Sequence, residues 1–524
     1  MDASGLFTVL SIFVAVIALI PDERREDLKL RFSLGERRIF ILLCVVAILI
    51  NYSVPIVSVF KEFDLKPFYY FWGFDEKIVT MTCALLMSVF FILKLIMGKV
   101  PKSKINSWDN LSDQLLKKKK YHVLGFLLDK YIDQFLQNIN NKSIYEKIYT
   151  YFSKGSMNLS NNEFLEPEII ERLESNKWLD KLKIKIKTEI SQRIPNPKQS
   201  NSKEVIVRSI TRLLKSSEFI DYLTITYPMV PVKLASNSSF LRIDEFTDNF
   251  FKILIANKDS PLYRELKDNQ HCTPDTGYRI EEENFILKHY FSDSKQAVKV
   301  KIWQPIGNYV RKYIKEQEGE INFYNTYCDD FSFSDERWEC PIFTGIQFFD
   351  LMVKSAIYQK TDEHMWLNYY AYFSDEILKN IDRSVNNKID SDYPLKFDYL
   401  LYELISNCSE WVDAANYLYN DKVKSIVAIE SASECLGTMI NKLLVSDKFD
   451  ENKKAYYLEI VLRLMRDLDS KGNERLSTKI FNSIVGIGMF SSRNLAWLKD
   501  VYQNVDHVLR LSGSTFDTEI KKAP

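Results

Sequence analysis

Five histidines, His122, His271, His289, His364 and His507, set the limits of imidazole chemistry in this chain. No two stand in an HExxH or HxxxH relation, so a metal pair on one helix face is excluded. His271, Cys272, Cys328 and Cys340 are zinc-type ligands by chemistry, but their spacing fits no regular zinc site and they read as ordinary buried thiols. The seven cysteines contain no CxxC, a pattern of reduced thiols in a reducing compartment. Neither GxxxxGK[ST] nor GxSxG occurs, and Gly486 and Gly488 in IVGIGMF form a lone GxG that reads as a helix break. Carboxylates cluster at Asp329, Asp330, Asp335, Glu336 and Glu339, where an acid pair or cation site is conceivable and a solvated loop is the plainer reading. Glu281, Glu282 and Glu283 with Lys288 lack the spacing of a metal nuclease. No cofactor or metal is expected, and an enzyme hidden in residues 271–342 is the least favoured function.

The elements that would position such groups follow from composition and pattern. A chain of 524 residues is long enough for two to four units. Seventy basic residues balance seventy acidic ones, so global charge gives no reason to expect nucleic acid. Gly and Pro number 15 each, below the roughly 7% and 5% of average usage, which favours long helices over turn-rich β structure. The fold class expected is mainly α: an N-terminal three-helix transmembrane bundle, then a large helical cytoplasmic region with a small irregular or mixed α/β segment.

Three apolar stretches carry the membrane expectation, at about residues 3–20, 39–60 and 78–97. The first covers about 27 Å as a helix, enough for a roughly 30 Å hydrocarbon layer. MDASG lacks a basic n-region and IALIPDERR lacks a small-residue cleavage site, so a retained span is favoured over a signal peptide. Arg24, Arg25, Lys29, Arg31, Arg37 and Arg38 follow the first stretch; Lys99, Lys102 and Lys104 follow the third. The positive-inside rule then puts the N-terminus outside and the C-terminal region in the cytoplasm, on a multi-pass inner-membrane protein. The loop between the second and third stretches holds Phe63, Phe68, Tyr69, Tyr70, Phe71, Trp72 and Phe74, as an interfacial aromatic belt does.

Within the spans, Thr8, Ser11, Asn51, Ser53, Pro55, Thr80 and Ser88 make a polar seam suited to close helix packing and self-association. Asn51 falls just past mid-bilayer, where a buried amide needs a partner or water. Pro55 removes the helical donor for the Asn51 carbonyl and should kink the span.

Past the membrane, residues 101–195 form a membrane-proximal helical segment. Residues 108–140 read as one helical stretch carrying Lys117, Lys118, Lys119 and Lys120, placed for contact with anionic headgroups or solvent. IPNPKQSNSK at 194–203 is the clearest linker. Residues 204–342 form a helical to mixed α/β domain in which QAVKVKIW alternates like a short strand and Ser260 and Pro261 start a helix. Residues 343–512 form an α-helical domain without a fixed repeat, and 513–524 a tail.

The layout is similar to that of bacterial membrane effectors used in phage defence, a likeness of layout without a shared motif. It implies a cytoplasmic sensor whose helical part controls an oligomeric transmembrane bundle that perturbs the membrane. The alternative is a non-enzymatic anchor or scaffold recruiting cytosolic proteins. The expected partners are the lipid bilayer, further copies of the chain and a cytosolic protein.

Overall fold

The computed structural model describes residues 19–32, 76–96, 98–140, 201–237, 244–269, 280–317, 323–328, 331–361, 365–385, 393–418, 426–486, 498–503 and 514–522, residue 505, and scattered positions between 11 and 45. The described residues are mainly helical and contain no strand; an isolated antiparallel bridge joins Tyr327 to Leu395. The mainly α expectation therefore holds and the mixed α/β segment is corrected. QAVKVKIW is not a strand. Asp293 caps a helix over Ser294–Val300 by accepting from the Lys295 N–H, and Lys301 ends it in the left-handed region at φ 54°. The next helix, Trp303–Lys315, begins two residues later.

The chain folds as two compact units, one formed by Met1–Tyr222 with Ser239–Leu241, the other by Leu223–Ser238 with Arg242–Pro524. The first unit contains α1 (Asp22–Arg31), α2 (Glu76–Ile96), α3 (Ile105–Lys117), α4 (Tyr121–Asn140) and α5 (Asn201–Leu213). The apolar face of α4, from Val123 and Leu127 through Phe135 to Ile139, is fully buried, and Trp108 of α3 packs on Phe135 at 5.0 Å between ring centroids. A second tie joins α3 to α5. Asp109 takes the Arg208 guanidinium at 2.6 Å, the Ser209 hydroxyl at 2.8 Å and Arg212 at 2.9 Å. Burial pushes the Asp109 carboxyl up, yet these donors outweigh it and hold the group below the usual carboxylate range.

Residues 108–140 are not one helix. The lysine run is a tight turn between α3 and α4, with Lys119 at φ 53°. Its backbone closes through Lys120 N–H donating to the Leu115 carbonyl at 3.0 Å.

The second unit is built from α6 (Ser217–Thr226, which begins in the first), α7 (Met229–Ser236), α8 (Asp244–Ala256), α9 (Pro261–Asp268), α10 (Phe285–Phe291), α11 (Ser294–Val300), α12 (Trp303–Lys315), α13 (Pro341–Tyr358), α14 (Asn368–Asn380), α15 (Lys396–Asp413), α16 (Ala415–Leu418), α17 (Val427–Val445), α18 (Glu451–Ser470), α19 (Glu474–Val485) and α20 (Thr515–Lys522). Its central rod is α13, buried along nearly its whole length. Pro341 at its first turn costs no hydrogen bond, and the Cys340 thiol caps it by accepting from the Phe343 N–H at 3.4 Å. Ser260 precedes Pro261 at the start of α9 as expected, although its hydroxyl donates to the Leu254 carbonyl at 2.6 Å instead of capping. Gly437 lets α17 and α19 touch: a Cβ there would lie 2.5 Å from Ser483 Cβ and 2.6 Å from the Ile480 carbonyl oxygen.

Among the described residues no helix is long and apolar enough to cross a membrane. The expected transmembrane bundle is therefore not shown. The stretches at 3–20 and 39–60 lie mostly outside the described residues, as do the aromatic loop and residues 194–200 of the expected linker. The helix of α2 is described over 21 residues, about 31 Å, but not all of its side chains are.

Candidate functional site

The most developed polar site joins α1 to α4. Asp27 and Arg31 sit one turn apart on α1 and are 3% and 4% exposed. Arg31 donates to Asp27 through Nη2 at 2.6 Å and Nε at 3.2 Å. From α4, Lys130 Nζ donates to Asp27 Oδ2 at 2.7 Å, and the Tyr131 hydroxyl donates to Asp27 Oδ1 while accepting from Arg31 Nε at 3.2 Å. One carboxylate thus serves two cations and a phenol out of water. Burial pushes the Tyr131 phenol far up, and the Asp27 charge adds to it, so the hydroxyl stays a donor.

The contact continues along both helices. Asp22 meets Lys120 at 3.2 Å and Glu23 lies 3.9 Å from His122. Acids at 22, 23 and 27 therefore face bases at 120, 122 and 130, advancing in the same chain direction. One turn beyond Tyr131, Gln134 grips the segment after α2. Its Nε2 donates to the Val100 carbonyl at 2.7 Å and its Oε1 accepts the Val100 N–H at 2.9 Å. Phe32, just past α1, stacks edge-on against Phe90 of α2 at 5.9 Å. So α4 holds both the helix after the first apolar stretch and the exit from the third.

The strength of the α1 attachment can be bounded. Its buried apolar side chains are Leu28 and Leu30, 8% and 2% exposed, which contribute about 3–6 kcal/mol as an upper estimate. The Asp22 and Glu23 pairs are exposed and screened by salt, and contribute little. For Asp27, attraction roughly balances the hydration given up on burial. Charge therefore fixes the register of α1 more than it adds affinity.

Of the seam residues, Thr8, Asn51, Ser53 and Pro55 lie outside the described residues and Thr80 is described in its backbone alone. Ser11 is exposed, and the Ser88 hydroxyl donates to the Ala84 carbonyl of its own helix at 2.8 Å. Three of the lysines expected at headgroups reach carboxylates: Lys117 to Asp113 at 2.7 Å, Lys119 to Glu218 at 2.8 Å and Lys120 to Asp22. Lys118 is exposed.

Other constellations are occupied structurally. Asp335 binds Lys267 at 3.0 Å and Glu339 binds Lys258 at 2.7 Å, all exposed; Asp329 and Asp330 lie outside the described residues. No group of three His, Cys, Asp or Glu able to hold a metal occurs among the described residues. Ser236 Oγ lies 2.7 Å from His289 Nε2, a nucleophile–base distance. The hydroxyl also lies 2.9 Å from the Val232 carbonyl of its own helix, and the pair ties α7 to α10. Burial pushes the His289 pKa down, keeping that ring neutral. In the second unit, Lys354 bridges Asp350 and Glu410 at 2.9 Å each, and Trp411 Nε1 donates to Asp350 at 2.7 Å. The two carboxylates outweigh burial and hold Lys354 protonated.

Sequence reasoning missed Asp27, Arg31, Lys130, Tyr131 and Gln134. The available signal was local, an Asp and an Arg four residues apart beside two leucines in a segment otherwise read as topogenic charge. No family model, no curated protein and no solved structure matches the chain.

Proposed function

We propose that the chain is a membrane-anchored effector whose helical cytoplasmic part controls an oligomeric transmembrane bundle and, through it, the permeability of the membrane. The observation that carries this reading is the outward face of α2. Met81, Leu85, Leu86, Val89, Ile92 and Leu93 are 45–61% exposed on one helix, while Ala84 and Met87 turn inward, 6% and 0% exposed. A contiguous apolar face of this kind calls for an apolar surrounding, and a bilayer supplies one. Ile39, Ile41, Leu42 and Val45 in the second apolar stretch are exposed as well. The charged junction on α4 supports the control half of the reading, since it fastens both segments to one helix.

Three spans per chain enclose no aqueous path, so the reading requires several copies, and Asn51 is the residue placed to line their shared seam. The test is membrane potential, followed with a voltage-sensitive dye in cells expressing the full-length chain, residues 1–104, or full-length Asn51→Leu. Depolarisation by an Asn51-containing chain, abolished by Asn51→Leu, is the expected result. An unchanged potential in all three overturns the effector reading and leaves an anchor that recruits cytosolic proteins.

A further inference from the structure

We propose that α1 is a releasable latch, set in register on α4 by its acidic face, and that its departure is the step by which the cytoplasmic part alters the membrane segments. The consequence for the membrane rests on the function proposed above; the latch itself does not.

The asymmetry of the contact carries the inference. Of its ten residues, α1 buries two leucines and the charged Asp27 and Arg31. By contrast, α4 buries Val123, Leu124, Leu127, Leu128, Ile132, Phe135 and Ile139, and Trp108 of α3 seals that face. Removing α1 leaves the core of α3, α4 and α5 in place, with the Asp109–Arg208–Arg212 tie intact. What is lost is the burial of Leu28 and Leu30 and a set of ion pairs whose groups regain hydration when they part. Gln134 keeps its hold on Val100 meanwhile, so release frees one attachment while the other stays. A helix fixed by charges in register, with little apolar area behind it, docks and undocks as a unit. Any event that prefers the undocked arrangement then shifts the population.

The experiment is hydrogen exchange of the full-length protein in lipid nanodiscs, comparing the wild type with Asp27→Asn. Asparagine keeps the shape and can still accept from Tyr131, but it removes the charge that Arg31 and Lys130 share. The expected result is exchange in residues 22–31 faster by about tenfold or more, with 121–140 and 201–213 as protected as before. Unchanged exchange in 22–31 overturns the latch. So does loss of protection in 121–140 together with 22–31, because the contact then belongs to the common core of the unit. Membrane potential measured on the same variant separates the two ideas. Release of 22–31 with a change in potential supports both. Release without one keeps the latch and overturns its coupling to the membrane segments.

Discussion

Glu265 in α9 is 1% exposed, and its carboxylate has no ion-pair partner among the described residues. Oε2 accepts the N–H groups of Ile286 and Leu287 at 3.0 Å each, and Oε1 lies 3.2 Å from the former, so the group clasps the start of α10. Burial pushes its pKa up from 4.5 to about 7, against the pull of the two N–H groups. Between these values the folded chain binds a proton that the unfolded chain does not. The stability that follows is fully present below 4.5 and is lost as pH rises through about 7. At about 1.4 kcal/mol per tenfold change in proton affinity, the whole effect is about 3 kcal/mol. Glu265→Gln removes the titration. Its amide oxygen can accept both N–H groups, at a pH-independent cost of about 1 kcal/mol for the unpaired NH2. Urea unfolding of both proteins, followed by fluorescence of Trp303, Trp338, Trp366 and Trp411, measures the difference. The wild type should lose about 2–3 kcal/mol relative to Glu265→Gln between pH 5 and pH 8.5. His289 in α10 is present in both proteins, so its contribution cancels. Parallel pH profiles would refute the reasoning, because a buried carboxylate without a cation cannot be indifferent to its charge.

Two further outcomes follow from packing and charge. Lys354→Met strands Asp350, which is 8% exposed, and should destabilise the second unit by about 3–5 kcal/mol. Adding Asp350→Leu should recover much of the lost thermal midpoint, and failure to recover would place the cost in shape instead of charge. Gly437→Ala forces a methyl group into the Ser483 and Ile480 contacts and should cost about 1–3 kcal/mol, read as a lower melting temperature.

The helices were legible because their apolar residues recur at helical spacing and one start carries a signal at Pro261, whereas the start at Pro341 lies in a stretch that reads as loop. The strand reading of QAVKVKIW failed because alternation over a few residues is a weak cue. Asp293 offers a cap, and the Ser294 hydroxyl is tied to that of Thr361, neither visible as a period. The lysine run reads as helix because lysine is a good helix former. The break at Lys119 rests on one left-handed residue and a closure onto Leu115. The site between α1 and α4 was hidden for another reason. Asp27 and Lys130 stand 103 positions apart, and nothing local in either segment announces the other.

The burial of α13 has a consequence for how the chain is made. This rod packs against α8 to α12, all synthesised before it. Phe291 stacks on Phe348 at 5.4 Å, and the Phe291 carbonyl accepts from the Ser355 hydroxyl at 2.7 Å. On a ribosome adding roughly 5–20 residues per second, on the order of 100 residues separate the emergence of α8 from the completion of α13, an interval of about 5–20 s. Through that interval the faces destined for α13 have no partner, while the first unit is already synthesised. The nascent second unit therefore exposes these faces until α13 arrives, and truncations ending before residue 341 should be more prone to aggregate than the full chain.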